Sequence, residues 1–465
     1  MKRDFPTAVS HIGHMIDLWL PLKIKYDKVL GMSVGILYKG KLFYARGFGF
    51  CDTLTKEKAD EKTLYRVASI SKTFTAVAIL QLARDGKLKL DDRVIVYLPW
   101  FQEKNGKNDS AQITIRQLLS HTGGVFRDGD TSHWETGNFP DDIKKSFSPD
   151  SLPVEALSRF KYSNYGYAML GLVIEKISGM SYAEYIQKNI LEKIRMKATQ
   201  PEYKDGLTHL AVGYGPELPD EQRTVFIHYK TKAYAPAAGM VSNVEDLAMF
   251  LGALSLESGD DMLDRVSKKE MMHSYEVTED GDEYGLGLDV LNVKDKKVVA
   301  HSGGFLGFST AIGLDPESDL GVIVLTNVTR GPSWEVMKGI FESVYTVLAN
   351  GEEYSGNKDI AYEKYEGYYR NTGGDQVVSR LGDALIAFDP ESNSPLKRKT
   401  ILEPSSTPDQ FILRESGVFG SWGEKAKFSD LQEGIFRNLI SGAMPARRIE
   451  FEQKIVSDED AFKTS

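Results

Sequence analysis

The sequence predicts an α+β protein: one sheet interrupted by a mainly helical insertion, followed by a small all-β domain. Three observations predict it. Apolar, β-rich runs stand near the start (GMSVGILYKG, KLFYARGFGF) and return late, in YGLGLDVLNV, KKVVAHSGG, FSTAIGLD and GVIVLTNV. Between about residues 70 and 270, apolar residues recur at the three-to-four spacing of helices. Beyond the polar, glycine-containing stretch NGEEYSGNKDIAYEK, only short runs remain, separated by Gly, Pro, Asn and Ser clusters.

Taken in order, MKRDFPTAVSHIGHMIDLWLPLKIKYDKVLG reads as an amphipathic helix rather than a signal, because Asp17 interrupts its apolar run and no small-residue cleavage site follows. GMSVGILYKG and KLFYARGFGF meet at Lys39-Gly40-Lys41, a hairpin signature. SKTFTAVAILQLARDG, TIRQLLSHTGG, YGYAMLGLVIEKISG, SYAEYIQKNILEKI and NVEDLAMFLGALS are the helices of the insertion, with Gly86, Gly123 and Gly179 as stop signals for three of them. WEVMKGIFESVYTVLA closes the first region as a helix. The expected boundaries are 1–350 for that region, 351–361 for a linker and 362–465 for a β-barrel or sandwich.

Composition narrows the function classes. A chain of 465 residues with 41% hydrophobic and 26% charged content is globular, and its net charge of −9 with scattered Lys and Arg excludes a basic face for nucleic acid. A single cysteine, Cys51, excludes a disulfide framework and a Cys-rich zinc site. No window reaches the roughly 18 apolar residues of a membrane span. The expectation is a soluble, cytoplasmic protein without a membrane partner. The acidic loops EDGDEYG and RDGDTSHW lack calcium-loop spacing and read as solvated turns, and His121 reads as a structural histidine at a helix end. No metal and no cofactor are expected.

Two serines compete as nucleophile. Gly31-Met-Ser-Val-Gly35 matches the G-x-S-x-G elbow, but an elbow serine sits between a strand and a helix, whereas Ser33 is followed by two strands. Ser33 is therefore a strand residue. The pattern S-x-x-K occurs four times, at Ser69/Lys72, Ser158/Lys161, Ser355/Lys358 and Ser394/Lys397. Only Ser69 opens an amphipathic helix, where a residue three positions on shares its face and a lysine of depressed pKa can take the hydroxyl proton. The helix terminus adds free N–H groups for an oxyanion.

Two further stretches join this pair: Tyr162-Ser-Asn164 before the helix YGYAMLGLVIEKISG, and His301-Ser-Gly303-Gly304 between two late strands. Together the three stretches, in this order, resemble the penicillin-recognising serine hydrolases, and above all the class C β-lactamase-like family of esterases, D-aminopeptidases and DD-peptidases. LLSHTGG, DGKLKLDDRV and YGLGL are also similar to recurrent stretches of that family. The resemblance covers about residues 10–350. It implies an antiparallel sheet flanked by helices with an all-α insertion.

The resemblance also assigns roles. It makes Ser69 the acylated nucleophile, Lys72 the group that lowers its proton affinity and Tyr162 the proton shuttle. Asn164 becomes a substrate- and lysine-positioning amide, His301, Ser302 and Gly303 the substrate-facing strand, and the backbone N–H groups of Ser69 and Gly304 the oxyanion hole. Many β-lactamases and DD-peptidases carry lysine where this chain has His301, which disfavours a carboxylate-anchored β-lactam. The C-terminal β domain resembles the lipocalin-like appendage of some members, on the strength of YEGYYRN, and is a candidate module for homo-oligomerisation or for covering the cleft.

The expected function is a serine hydrolase acting on small peptides, amides or esters, including peptides with D-residues. Three alternatives stay open: a β-lactamase or DD-carboxypeptidase, a penicillin-binding-protein-type peptide cyclase, and an idle relative that binds a ligand in its β domain.

Overall fold

Lys39 and Gly40 take φ of 50° and 70°, the left-handed pair of a two-residue hairpin turn. They join β1 (Gly31–Tyr38) to β2 (Lys41–Asp52). The structure, a computed structural model, describes residues 4–129, 132–219, 222–259, 262–350, 354, 360–415, 421–450 and 462–464. Its packing forms two compact units, one of Met1–Leu30, Phe48–Lys58 and Glu335–Ser457, the other of Gly31–Gly47, Ala59–Trp334 and Asp458–Ser465.

In the larger unit the late strands β3 (Asp289–Val293), β4 (Lys296–Phe305), β5 (Phe308–Asp315) and β6 (Leu320–Thr326) follow one another across a sheet. β6 then pairs antiparallel with β1, Ser33 opposite Leu325. The two ends of this region thus build one sheet, as their matching β character predicts. β6 is buried along its whole length and β1 along all but its last residue, the mark of strands covered on both faces. Gly35 is glycine because a Cβ there would lie 2.4 Å from Val244 Cγ1, the first residue of α5 (Val244–Leu254).

The insertion carries α2 (Ser71–Arg84), α3 (Ile115–Leu119) and α4 (Asn164–Ser178), with shorter helical turns and short ladders such as Gly213–Tyr214 beside Arg223–Phe226. Two of the three glycine stops hold, Gly86 and Gly179 at φ of 68° and 71°. The third does not. α3 ends at Ser120, and His121 itself takes the left-handed conformation at φ 59°. Gly123 instead sits against Ile113 and Leu118, where a side chain would be crowded.

The smaller unit contains a closed eight-stranded barrel: β7 (Gly367–Asn371), β8 (Gly374–Leu381), β9 (Ala384–Phe388), β10 (Thr400–Pro404), β11 (Gln410–Glu415), β12 (Lys425–Gln432), β13 (Ile435–Ser441) and β14 (Met444–Ile449). Pairing of Tyr369 with Arg448 closes it, which removes the sheet edges. Its core is built of rings. Tyr365 stacks on Phe436 with centroids 5.1 Å apart and meets Phe411 and Phe428 edge-on at 5.0 and 4.8 Å.

Two helices from outside the barrel sequence belong to the same unit: α1 (Phe5–Tyr26) and, from Glu335 on, α6 (Ser333–Ala349). Asp4 caps α1 by accepting the Thr7 N–H at 2.8 Å. Tyr26 donates to Asp375 Oδ2 at 2.9 Å, and the buried Trp19 donates to Pro390 O at 3.2 Å. In α6, a Cβ on Gly339 would lie 1.8 Å from Asn393 O. Most of the stretch expected to be a linker, 351–353 and 355–359, lies outside the described residues, and so does the Ser355/Lys358 pair.

Candidate active site

Ser69 stands in the tight turn Ala68–Ile70 that runs directly into α2. Ala68, just before it, has φ 52°, a conformation that costs a non-glycine residue roughly 1–3 kcal/mol and persists only when its surroundings impose it. Here they do. Ser71 Oγ donates to Ala68 O at 2.6 Å and accepts the Met240 N–H at 3.1 Å, and Thr310 Oγ1 donates to Val67 O at 3.0 Å. Further along α2, Thr73 and Thr75 donate to Gly287 O and Pro236 O. The polar residues of SKTFT are therefore buried anchors, and α2 is buried on every side from Ser71 to Leu82.

Lys72 lies in the first turn of that helix with its ammonium fully buried. It donates to Ser69 Oγ at 3.1 Å, Asn164 Oδ1 at 2.6 Å and Ala237 O at 2.9 Å. Three donors meet three acceptors. Burial drives the Lys72 pKa well below the usual lysine range, while Asp128 pulls it back up and Arg127 adds to the depression. In its neutral form the amine has a lone pair to offer the Ser69 hydroxyl.

Tyr162, half-buried, stands beside the same pair, with its ring 4.7 Å from the Lys72 nitrogen. Burial raises the phenol above its ordinary pKa, with nearby Ser69 opposing, so it stays protonated near neutral pH. Ser163 caps α4, accepting the Gly166 N–H at 2.8 Å and donating to Phe126 O at 2.7 Å. That cap sets Tyr162 and Asn164 on either side of the helix start.

His121 supports the same turn from below. Its Nδ1 accepts the Ser163 N–H at 3.1 Å, so the ring proton is on Nε2, which is buried without a hydrogen-bond partner among the described residues. The ring packs between Phe160, Tyr162, Tyr167 and Tyr284, and burial holds its pKa well below the usual histidine range. The helix-end reading holds, with a more specific duty: a structural histidine beneath Tyr162.

The facing wall is β4. A Cβ on Gly303 would lie 2.2 Å from Val67 O and 2.4 Å from Thr310 Oγ1, whereas one on Gly304 would meet nothing within 4 Å. Gly303 thus lets the strand touch the nucleophile turn, and Gly304 borders open space. Pairing of β4 with β3 stops at Ala300 opposite Asp289, while pairing with β5 continues to Phe305 opposite Phe308. From His301 to Phe305 the other edge of β4 carries no strand among the described residues.

The structure separates the two polar side chains of this strand. His301 and Ser302 are neighbours in a strand and so project to opposite sides; Ser302 is exposed, while His301 is buried. His301 Nδ1 donates to Ser302 O at 2.6 Å, since a carbonyl can only accept, and Nε2 then accepts from Tyr284 O–H at 3.1 Å. Burial and nearby Lys72 push its pKa down to about 3. It is a neutral wall residue. The charge that a lysine would carry at this position is absent.

Ser33, the rival serine, is fully buried in the sheet, donating to Asp60 O at 2.6 Å and lying 2.8 Å from Tyr65 OH. Ser158 turns back onto Glu155 O, and Ser394 hydrogen-bonds Glu342 in the barrel unit. Neither meets a lysine amine in these bonds.

Sequence reasoning missed Asp128. The loop RDGDTSHW is not a solvated turn at this residue: Asp128 Oδ1 accepts from Asn164 Nδ2 at 2.6 Å and Trp134 Nε1 at 2.8 Å, and Oδ2 pairs with Arg127 Nε at 3.1 Å. Arg66 was also missed. Its fully buried guanidinium donates to Tyr229 O at 2.8 Å under the Phe305 ring, and burial lowers its pKa to about 10.

With this geometry in place, comparison with known proteins decides the family. Residues 24–339 match the beta-lactamase family. The chain belongs to it. This beta-lactamase-family chain is 32% identical over 347 residues to "Protein flp" of Staphylococcus aureus strain MW2, covering 73% of this chain and 67% of that protein. A solved octameric penicillin-binding protein homologue from Pyrococcus abyssi shares the fold with a TM-score of 0.62 at 24% identity, over 92% of this chain and 98% of that one. A D-stereospecific amidohydrolase from Streptomyces has a TM-score of 0.57 at 22% identity, over 73% of this chain and 99% of that one. The family is one of serine hydrolases in general. Among the described residues, no helix is long and apolar enough to cross a membrane.

Proposed function

We propose that this protein is a serine hydrolase that forms an acyl-enzyme on Ser69 and acts on small amides, peptides or esters, including those with D-configured residues. One observation carries the reading: a buried lysine with depressed proton affinity, 3.1 Å from a serine hydroxyl and 4.7 Å from the ring of a half-buried tyrosine. Neutral Lys72 takes the Ser69 proton as Oγ attacks the substrate carbonyl. The oxyanion forms between the backbone N–H groups of Ser69 and Gly304, and losing such a donor typically costs about 10²–10³ in rate. Tyr162 relays the proton to the departing amine or alcohol, and water then releases the acyl group by the reverse relay.

The substrate class follows from the walls. His301 stays neutral at working pH, so the strand offers no cation to a substrate carboxylate, which weighs against the β-lactamase and DD-carboxypeptidase readings. The D-preference is supported by the likeness to the Streptomyces amidohydrolase. The filled aromatic core of the barrel weighs against a ligand in its lumen. Exposed Trp422, Leu431, Ile440 and Met444 on the barrel unit, with the octameric homologue, support an assembly role for it.

Intact mass spectrometry after a fluorophosphonate tests the chemistry, with an adduct on Ser69 expected and an unmodified chain refuting it. A panel of L- and D-aminoacyl anilides, p-nitrophenyl esters and nitrocefin then tests the class. Nitrocefin turnover above that of the esters would overturn it.

A further inference from the structure

Lys72 depends on an amide that must face one way. The Asn164 side chain has an oxygen end and a nitrogen end of nearly equal size, and only the oxygen end can accept from the lysine amine. Nothing in Asn164 itself chooses between them. Lys72 offers only donors when charged, and on the far side of the amide stands Asp128, whose carboxylate oxygens accept. The two contacts are both 2.6 Å, Lys72 Nζ to Asn164 Oδ1 and Asn164 Nδ2 to Asp128 Oδ1. A turned amide would set two oxygens against each other at the Asp128 end whatever the state of the lysine, and two donors against each other at the Lys72 end when the lysine is charged.

Asp128 is itself held. Tyr234 OH donates to its carbonyl at 2.6 Å, the Tyr165 N–H donates to Arg127 O at 3.0 Å, and Trp134 Nε1 shares the same carboxylate oxygen as Asn164. The loop is therefore tied at its backbone to the start of α4 and at its side chain to the amide. Trp134 in turn meets Phe305 edge-on with centroids 5.8 Å apart, one residue beyond Gly304.

We infer that Asp128 is a positioning residue of the acylation machinery: it fixes the orientation of the Asn164 amide and through it the aim of the Lys72 amine at Ser69. It touches none of the reacting atoms. The inference rests on the Ser69 acyl-enzyme reading, and the test separates the two. Acylation of the full chain by a p-nitrophenyl ester is followed by its burst rate, beside kcat and KM, for Asp128→Ala, Asp128→Ser and Asp128→Asn, and for Asp128→Ala combined with Asn164→Ala.

Both truncations are expected to slow acylation by about 10–100-fold with KM changed less than about threefold. Asp128→Asn keeps an acceptor for Asn164 Nδ2 and is expected to restore the rate to within a few-fold. In the Asn164→Ala background, Asp128→Ala is expected to add little, because the group through which it acts is gone. Should Asp128→Ala fail to fold, Asp128→Ser carries the comparison. Equal losses in Asn and Ala variants, additive losses in the double variant, or an effect confined to KM would each overturn the positioning role. A wild-type chain that never labels at Ser69 would instead overturn the reading beneath it.

Discussion

The surroundings of Ser69 and the interior of the barrel are both buried, yet they are built from opposite chemistry. Around Ser69 the buried groups are a lysine, two histidines, an asparagine, the two tyrosines Tyr167 and Tyr284, and an arginine, each placed by hydrogen bonds of set direction. In the barrel the buried groups are mainly rings and aliphatic chains, such as Tyr365, Phe411, Phe428 and Phe436, placed by shape. Buried polar groups gain little net stability and cost much when left unpaired, whereas buried rings contribute stability directly. The difference teaches that one interior is arranged for reactivity and the other for cohesion.

The comparison breaks most visibly at Ser69. Ser69→Ala is expected to lower ester hydrolysis by at least about 10⁴-fold with an unchanged melting temperature, while Ser33→Ala keeps turnover within a few-fold and loses only roughly 1 kcal/mol of stability. Loss of turnover in a well-folded Ser33→Ala enzyme would reverse the assignment. Phe428→Ala in the barrel should do the converse. It is expected to cost about 3–5 kcal/mol in denaturant unfolding, with kcat per folded molecule unchanged on a small ester. A matching drop in kcat would show that the two interiors are not separable.

Smaller effects sharpen the contrast. Tyr162→Phe keeps the ring under Lys72 and removes only the hydroxyl, so about a 10²-fold loss of kcat with little change in stability is expected; a near-normal rate would remove Tyr162 from the relay. The smallest effect concerns Asp289, at the point where β3 leaves β4. Burial and nearby Asp282 raise its pKa to about 7. A carboxyl raised above its unfolded value gives stability fully present below about pH 4 and lost as pH rises through about 7. Asp289→Asn should therefore flatten the fall in melting temperature between pH 5 and 8, and an unchanged slope would deny the shift.

What could be read from the sequence was what is local. Ser69 and Lys72 share a helical turn, Ser163 caps α4, and Lys39-Gly40 forms a hairpin turn, and each rests on neighbours within four positions. The matching strand character of the two ends sufficed to join β1 with β6. Asp128 escaped because its partner is 36 residues away and an aspartate in a glycine-containing loop looks like any solvated turn. Family analogy names the His301 triplet, while strand alternation sets the buried His301 beside Tyr284 and leaves Ser302 exposed. Glycine's tolerance of positive φ points to Gly123 as the helix stop, yet packing against Ile113 claims it and His121 takes the left-handed position.

The burial of α2 from Ser71 to Leu82 has a consequence for how the molecule breathes. Amide hydrogens in a helix enclosed on all sides exchange with solvent only when the surrounding structure opens as a whole, whereas a strand edge without a partner can exchange through local fluctuations. Deuterium should therefore enter the helix that carries Lys72 and follows the Ser69 turn among the slowest of all segments, and the His301–Phe305 edge far sooner. The nucleophile would ride on the part of the chain that hardly moves, and adaptation to substrate would be left to the strand opposite.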